Sequence, residues 1–158
     1  MERAAELAVR TYDCVSRYLV LVPFLQRARI DAAEAALFAL EHAAVSVPAS
    51  QLRRIVRHGY RVGGAIGLMY PFLKGPSQRI HARFVALDKG ALAAEPLFRN
   101  AIAGAEATPN RWEIAQVWYD AAVCLPSQRT AYRDGARTRF EALGAVAELR
   151  RLERELPQ

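Results

Sequence analysis

The sequence predicts an all-α chain, with antiparallel helical hairpins stacked as a short solenoid of about seven helices. Three observations carry that reading. The chain has 158 residues and is 53% hydrophobic, with abundant alanine and few β-branched runs, a mixture that favours helix and argues against disorder. Gly and Pro recur at intervals that cut the chain into segments of helical length. The loops between those segments are short, about two to six residues, which makes successive helices antiparallel neighbours. One domain over 1–158 accommodates this, read as an N-terminal helix pair (1–48), central basic helices (49–107) and a C-terminal repeat with a capping helix (108–158).

The first helix is expected from about Glu2 to Val22, with Leu7, Tyr12, Val15, Leu19 and Val22 near one face and Pro23 as its stop. Asp31 reads as the N-cap of Ala32–Ser46, whose Ala35, Phe38, Ala39 and His42 trace a buried stripe up to Val47–Pro48. Ser50 caps a third helix, Gln51 to about Tyr70, ended by Pro71. Within it Arg53, Arg57 and Arg61 repeat every fourth residue, as do Gly59, Gly63 and Gly67. At 100° per residue the two rows fall on roughly opposite faces. Each glycine costs a helix about 1 kcal/mol, so the row asks for a reason: close approach of another backbone, or a kink near Gly63–Gly64.

Lys74-Gly75-Pro76 reads as a turn and Ser77 as the cap of Gln78–Leu87; Asp88-Lys89-Gly90 is the next turn, with Gly90 as the left-handed residue. Ala93–Ala107 follows, with Pro96 in its first turn. Asn110 then caps Arg111–Cys124, Pro126–Gln128 turns the chain, and Thr130–Leu143 returns antiparallel. Gly144 ends that helix, and Ala145–Leu156 forms a charged terminal one.

Charge is uneven along the chain. The net +6 comes from twenty Arg and two Lys, and between Glu41 and Asp88 there is no carboxylate. Arg53, Arg54, Arg57, Arg61, Lys74, Arg79 and Arg83 fall in that window, together with His42, His58 and His81. Such a stripe is either a solvated face or a surface that draws acidic proteins or polyanions. Tyr60, Tyr70, Phe72 and Phe84 interleave with it, as core residues or as stacking platforms for bases. Trp112 and Trp118 are six residues apart and so not on one face; one is expected in the helix pair and the other lining a groove.

Linear signatures of chemistry do not emerge. The histidines show no HExxH, CxxC or HxH pairing, which leaves no metal centre to expect. Cys14 and Cys124 have no metal-type spacing and read as two buried thiols in a reducing cytosol, with a disulfide as the less expected alternative. No serine sits in a G-x-S-x-G frame. Gly59–Gly67 is not a G-x-G-x-x-G loop, and neither a preceding strand nor a following Lys-Ser/Thr accompanies it. The apolar run Tyr18–Phe24 is too short to span a bilayer, and the expected setting is cytoplasmic, without a membrane partner.

Ala94-Glu-Pro-Leu-Phe98-Arg-Asn-Ala101 resembles the second helix of a tetratricopeptide repeat, with small, aromatic and small residues at spacings of four and three. Ala82 matches the small position where the two helices of a repeat touch. The tail is similar to the closing repeats of large bacterial signalling proteins: STAND-type ATPases, ATPase-linked nucleotide cyclases and LuxR-type regulators. Trp112-Glu113, Ala115, Trp118, Ala121-Ala122, Gly135-Ala136, Phe140, Leu143-Gly144-Ala145 and Glu148-Leu149 carry that likeness. His81, Pro96 and the long turn before Asn110 depart from the repeat pattern. No P-loop, cyclase or helix-turn-helix segment stands in these residues, so the resemblance implies the tail alone, free-standing or part of something larger.

A second likeness, at Leu40-Glu-His-Ala-Ala-Val-Ser-Val-Pro-Ala-Ser50, is to small basic four-helix bundles related to ribosomal intervening-sequence proteins and retroelement accessory proteins, without their Asn-Ile-Ala-Glu-Gly continuation.

The function expected from the sequence is a non-catalytic protein-interaction or scaffold module, needing no cofactor, whose concave surface selects a protein or acidic peptide. Its contact candidates are Arg53, Arg54, Arg57, Arg61, Arg79 and Arg83, with Trp112 and Trp118 as groove aromatics. As the tail of a signalling protein it would sense or regulate. The alternative is a basic helical nucleic-acid-binding protein.

Overall fold

The computed structural model describes residues 2–16, 23–42 and 46–157. Among them are eight α-helices and no strand: α1 (Glu2–Ser16), α2 (Pro23–Glu41), α3 (Ala49–Ile66), α4 (Lys74–Lys89), α5 (Ala91–Glu106), α6 (Arg111–Cys124), α7 (Arg129–Ala142) and α8 (Val146–Glu155). Short 3₁₀ turns at Pro71–Leu73 and Pro126–Gln128 lead into α4 and α7. Each helix packs against its neighbours in the chain, and α2 with α4 and α4 with α6 touch as a second layer. The result is a ladder of antiparallel hairpins. Its inner layer is α2, α4 and α6, continued by α8, while α3, α5 and α7 lie outside.

Two cores run along the ladder. Ile30, Ala33, Leu37, Leu52, Ile55, Val56, Leu73 and Ile80 fill the N-terminal one. Ala82, Ala94, Phe98, Ala101, Ala115, Val117, Ala136, Phe140 and Leu152 fill the other. Helix α4 belongs to both, so it is the element through which the two halves are held in register. Ala94, Phe98 and Ala101 are fully buried, as is Ala82 opposite them; small side chains let α4 and α5 approach while the phenyl ring fills the space beside them.

The C-terminal elements form where local signals place them. Asn110 accepts a hydrogen bond from the Glu113 backbone N–H (3.2 Å) and caps α6, which has the expected bounds. Gly90 and Gly144 take φ of +89° and +63°, backbone geometry that a side chain would strain.

Nearer the N-terminus several boundaries differ. Pro23 opens α2 instead of closing the preceding helix, since a first-turn proline forfeits no intrahelical bond. The expected reach of the first helix to Val22, and residues 43–45 of the second, lie outside the described residues. Asp31 is inside α2 and pairs with Arg27 one turn earlier (2.8 Å), so it is no cap. Pro48, not Ser50, precedes α3, and no side chain caps it. Lys74-Gly75-Pro76 is the first turn of α4, and Ser77 donates back to the Leu73 carbonyl (2.7 Å) instead of capping. Pro96 lies beyond the first turn of α5, on its exposed side.

The glycine row of α3 is explained by close approach. A Cβ on Gly59 would press on Ala33 and come within 3.1 Å of the Arg29 carbonyl; on Gly63 it would strike the Ser77 hydroxyl and lie 2.9 Å from Ile30 Cδ1. Helix α3 runs unbroken through Gly63–Gly64, so there is no break to account for.

Candidate functional site

The inner layer carries a charge web that joins three hairpins. Glu34 and Glu41 stand seven residues apart on α2, Arg79 and Arg83 four apart on α4, and Glu113 and Asp120 seven apart on α6. Those spacings bring each pair onto one face of its helix. Arg79, only 3% exposed, donates from Nε to Glu113 (2.8 Å) and from Nη1 to Asp120 (2.8 Å). Its two terminal nitrogens also grip Glu34 in a fork, at 2.8 and 2.9 Å. Arg83 reaches Glu41 at 2.5 Å, Asp120 at 3.5 Å and Glu34 at 3.8 Å.

Four carboxylates thus share two guanidiniums, and the electrostatics follow. Burial alone would lower the Arg79 pKa, but Glu34, Asp120 and Glu113 outweigh it and hold the group charged. Arg83 is likewise raised by Asp120 and Glu41 against burial. Burial pushes the Glu34 carboxyl up, and the charges of Arg79 and Arg83 bring it below its ordinary value. Glu113 is raised by burial, which Arg79, its one ion-pair partner among the described residues, does not overcome.

Above this floor the inner face is hollow. Two adjoining depressions of about 400 and 580 Å³ share Phe38, His42, Arg83, Arg151 and Glu155. Leu87, Tyr119 and Val123 add apolar wall on one side, and Asp31, Glu34 and Ala35 line the other. The α2 face bearing Ala35, Phe38 and His42 therefore looks into the groove, while Ile30, Ala33, Ala36 and Leu37 fill the core. Arg151 lies over the Tyr119 ring (4.6 Å) and bonds Glu155 (3.1 Å), which also accepts from the Tyr119 hydroxyl; this ties α8 to α6 at one end of the groove. Five carboxylates line the hollows (Asp31, Glu34, Glu41, Asp120 and Glu155) against two guanidiniums, Arg83 and Arg151. The groove is locally acidic in a basic protein.

The sequence-derived stripe is split by the fold. Arg79 is buried in the web and offers no surface contact, while Arg83, held by acids from α2 and α6, lines the inner groove and not the outer stripe. Arg53 pairs with Asp88. Arg57 is exposed, 5.5 Å over the Phe84 ring, and Arg54 and Arg61 are exposed on the outer face of α3. None of these α3 residues lines the two hollows.

The tryptophans also stand elsewhere. Trp118 sits between α6 and α7, its ring edge-on to Tyr132 (5.5 Å), against Gly135, and under Arg139 (4.0 Å). Trp112 is half-exposed beside Phe140 (6.0 Å). The groove aromatics are Phe38 and Tyr119. The sequence reading missed them, together with Glu34, Glu41, Glu113 and Asp120; the seven-residue spacing of the acids was the available signal.

Reactive groups are muted. Burial pushes the Cys124 thiol up to about 12, with Asp120 adding to the shift, the opposite of nucleophile activation. Cys14 is exposed, not buried as expected. His58 meets the Tyr12 hydroxyl at 2.7 Å and is lowered by burial and Arg29; His81 stacks on Tyr60 (4.3 Å) and is also lowered, first by burial. Among the described residues no three His, Cys, Asp or Glu are grouped to hold a metal ion, and no helix is long and apolar enough to cross a membrane. No known protein family matches the chain, and no match is found among curated proteins or solved structures.

Proposed function

We propose that this chain is a non-catalytic protein-interaction module that docks a segment of a partner protein in the groove lined by α2, α4, α6 and α8. The observation that carries the reading is the pairing of an open hollow with a rigid floor. The Arg79–Arg83 web ties three hairpins together, so the groove keeps its shape when empty and little ordering cost accompanies docking. Polarity follows from the lining. Even with Arg27, Arg79, Arg154 and Glu113 counted behind the wall, six carboxylates face five guanidiniums, so the favoured segment carries Lys or Arg beside an apolar anchor for Phe38, Leu87 and Val123. An acidic peptide, the sequence-based expectation, meets the wrong charge there. The resemblance of the tail to closing repeats of bacterial signalling proteins supports a regulatory or sensing role for such docking.

Retention of random peptide pools on the immobilised protein tests this. Pools retained by wild type are expected to be cationic with an apolar residue, and Val123→Arg should abolish retention. Enrichment of acidic peptides, or retention unchanged by Val123→Arg, would exclude the groove. The nucleic-acid alternative rests on exposed Arg54, Arg57 and Arg61; it predicts steeply salt-dependent RNA or DNA binding lost in the triple Arg→Glu variant.

A further inference from the structure

Between α3 and α4 the chain turns outward with an unbroken apolar run, Leu68-Met69-Tyr70-Pro71-Phe72. Leu68 is 86% exposed, Met69 60% and Phe72 47%. The display is fixed by the backbone. The N–H groups of Met69 and Tyr70 bond the Ile66 carbonyl at 2.9 Å, and that of Leu73 bonds Tyr70 at 2.9 Å. Leu73 itself is fully buried and anchors the turn from beneath. Phe24, 83% exposed, joins this end of the molecule. It lies in the first turn of α2, and the contacts of Gly59 with Arg29 and of Gly63 with Ile30 bring that turn towards the C-terminal end of α3.

The collar around the tip is cationic. Lys74 follows directly, its Cα 3.2 Å from where a Cβ of Gly67 would stand. Arg61 lies in the last two turns of α3, seven residues before Leu68, with Arg57 a turn further back. None of these three pairs with a carboxylate among the described residues, and residues 42–87 contain no Asp or Glu.

Contiguous exposed apolar side chains of this size mark an interaction surface. A second copy docked through the tip would set Lys74 and Arg61 of each molecule against their counterparts, a like-charge contact that disfavours self-association. An anionic bilayer satisfies both features at once: its acyl–glycerol boundary takes Leu, Met and Phe side chains, and its headgroup phosphates take the collar. We propose that the Leu68–Phe72 turn, with Phe24 beside it and Arg61 and Lys74 around it, is a peripheral docking surface for an anionic lipid bilayer.

Flotation with vesicles of phosphatidylcholine alone, and of phosphatidylcholine mixed with phosphatidylglycerol, tests this. Wild type is expected to float with the anionic vesicles only, less so at high salt. Leu68→Asp/Met69→Asp and Arg61→Glu/Lys74→Glu should each reduce the bound fraction roughly tenfold or more. All four positions are exposed, and an unchanged urea midpoint verifies that both variants fold. Failure of wild type to float with anionic vesicles would overturn the proposal. So would full binding by Leu68→Asp/Met69→Asp, which would reduce the contact to charge alone, or a dimer by light scattering that this variant dissolves.

Discussion

Arg79→Met removes the cation at the centre of the inner layer, and the consequence can be worked out partner by partner. Glu34, with about a third of its side chain exposed, turns to solvent and loses little. Asp120 keeps Arg83 at 3.5 Å. Glu113, 5% exposed and with Arg79 as its one ion-pair partner among the described residues, is stranded. Breaking a buried pair by removing one partner costs about 3–5 kcal/mol, a large part of the roughly 5–15 kcal/mol that holds a domain folded. With a urea m-value near 2 kcal/mol/M, the midpoint should fall by about 2 M, with the slope unchanged. Equilibrium unfolding followed by far-ultraviolet circular dichroism reads this directly. Adding Glu113→Gln to Arg79→Met should restore at least half the loss, because the stranded charge goes with its partner. Arg79→Lys keeps the charge but not the fork, and should fall between. A midpoint for Arg79→Met corresponding to less than about 1 kcal/mol, the scale of an exposed ion pair, would refute the web as a structural keystone.

Neighbouring glycines of α3 should respond in opposite senses. Gly63→Ala, which drives a methyl into Ser77 and Ile30, is expected to cost about 1–3 kcal/mol. Gly64→Ala, with nothing within 4 Å, should stabilise by about 0.5–1 kcal/mol; both are read from urea midpoints. Asn110→Ala should lose about 1 kcal/mol by removing the α6 cap, measured the same way. Glu34 has a folded pKa below its ordinary value, so its contribution is present at neutral pH and lost as pH falls through that folded pKa. The midpoint gap between wild type and Glu34→Gln should therefore be widest near pH 7 and close on acidification; a gap that widens in acid would contradict the assigned sign.

The legible part of the fold is the part written in local chemistry. Asn110, Gly90 and Gly144 act through hydrogen bonds or backbone geometry within a few residues, and α6 starts, and α4 and α7 stop, beside them. Pro23, Asp31 and Ser77 depart from expectation because each residue type has two roles, and tertiary packing chooses between them. Proline can end a helix or open one, Asp can cap or pair at i−4, and Ser can cap or bond back to the preceding turn. The groove was harder still. Arg79 and Arg83 look like members of a solvated stripe until acids from α2 and α6 are brought against them, and that pairing is set by how hairpins stack. The spacing of Glu34 with Glu41 and of Glu113 with Asp120 hints at charged faces, but a charged face on an amphipathic helix ordinarily points to water. Phe38 and His42 stand on the stripe that reads as core yet face the groove, because periodicity finds an apolar stripe but not which of two sides it serves.

Backbone amide chemical shifts during titration with a retained cationic peptide test the docking surface most directly. The groove reading predicts saturable shifts at Phe38, His42, Leu87, Val123 and Arg151, with Arg54, Arg57 and Arg61 unmoved. Shifts confined to the outer face of α3, or none along the inner face, would contradict it.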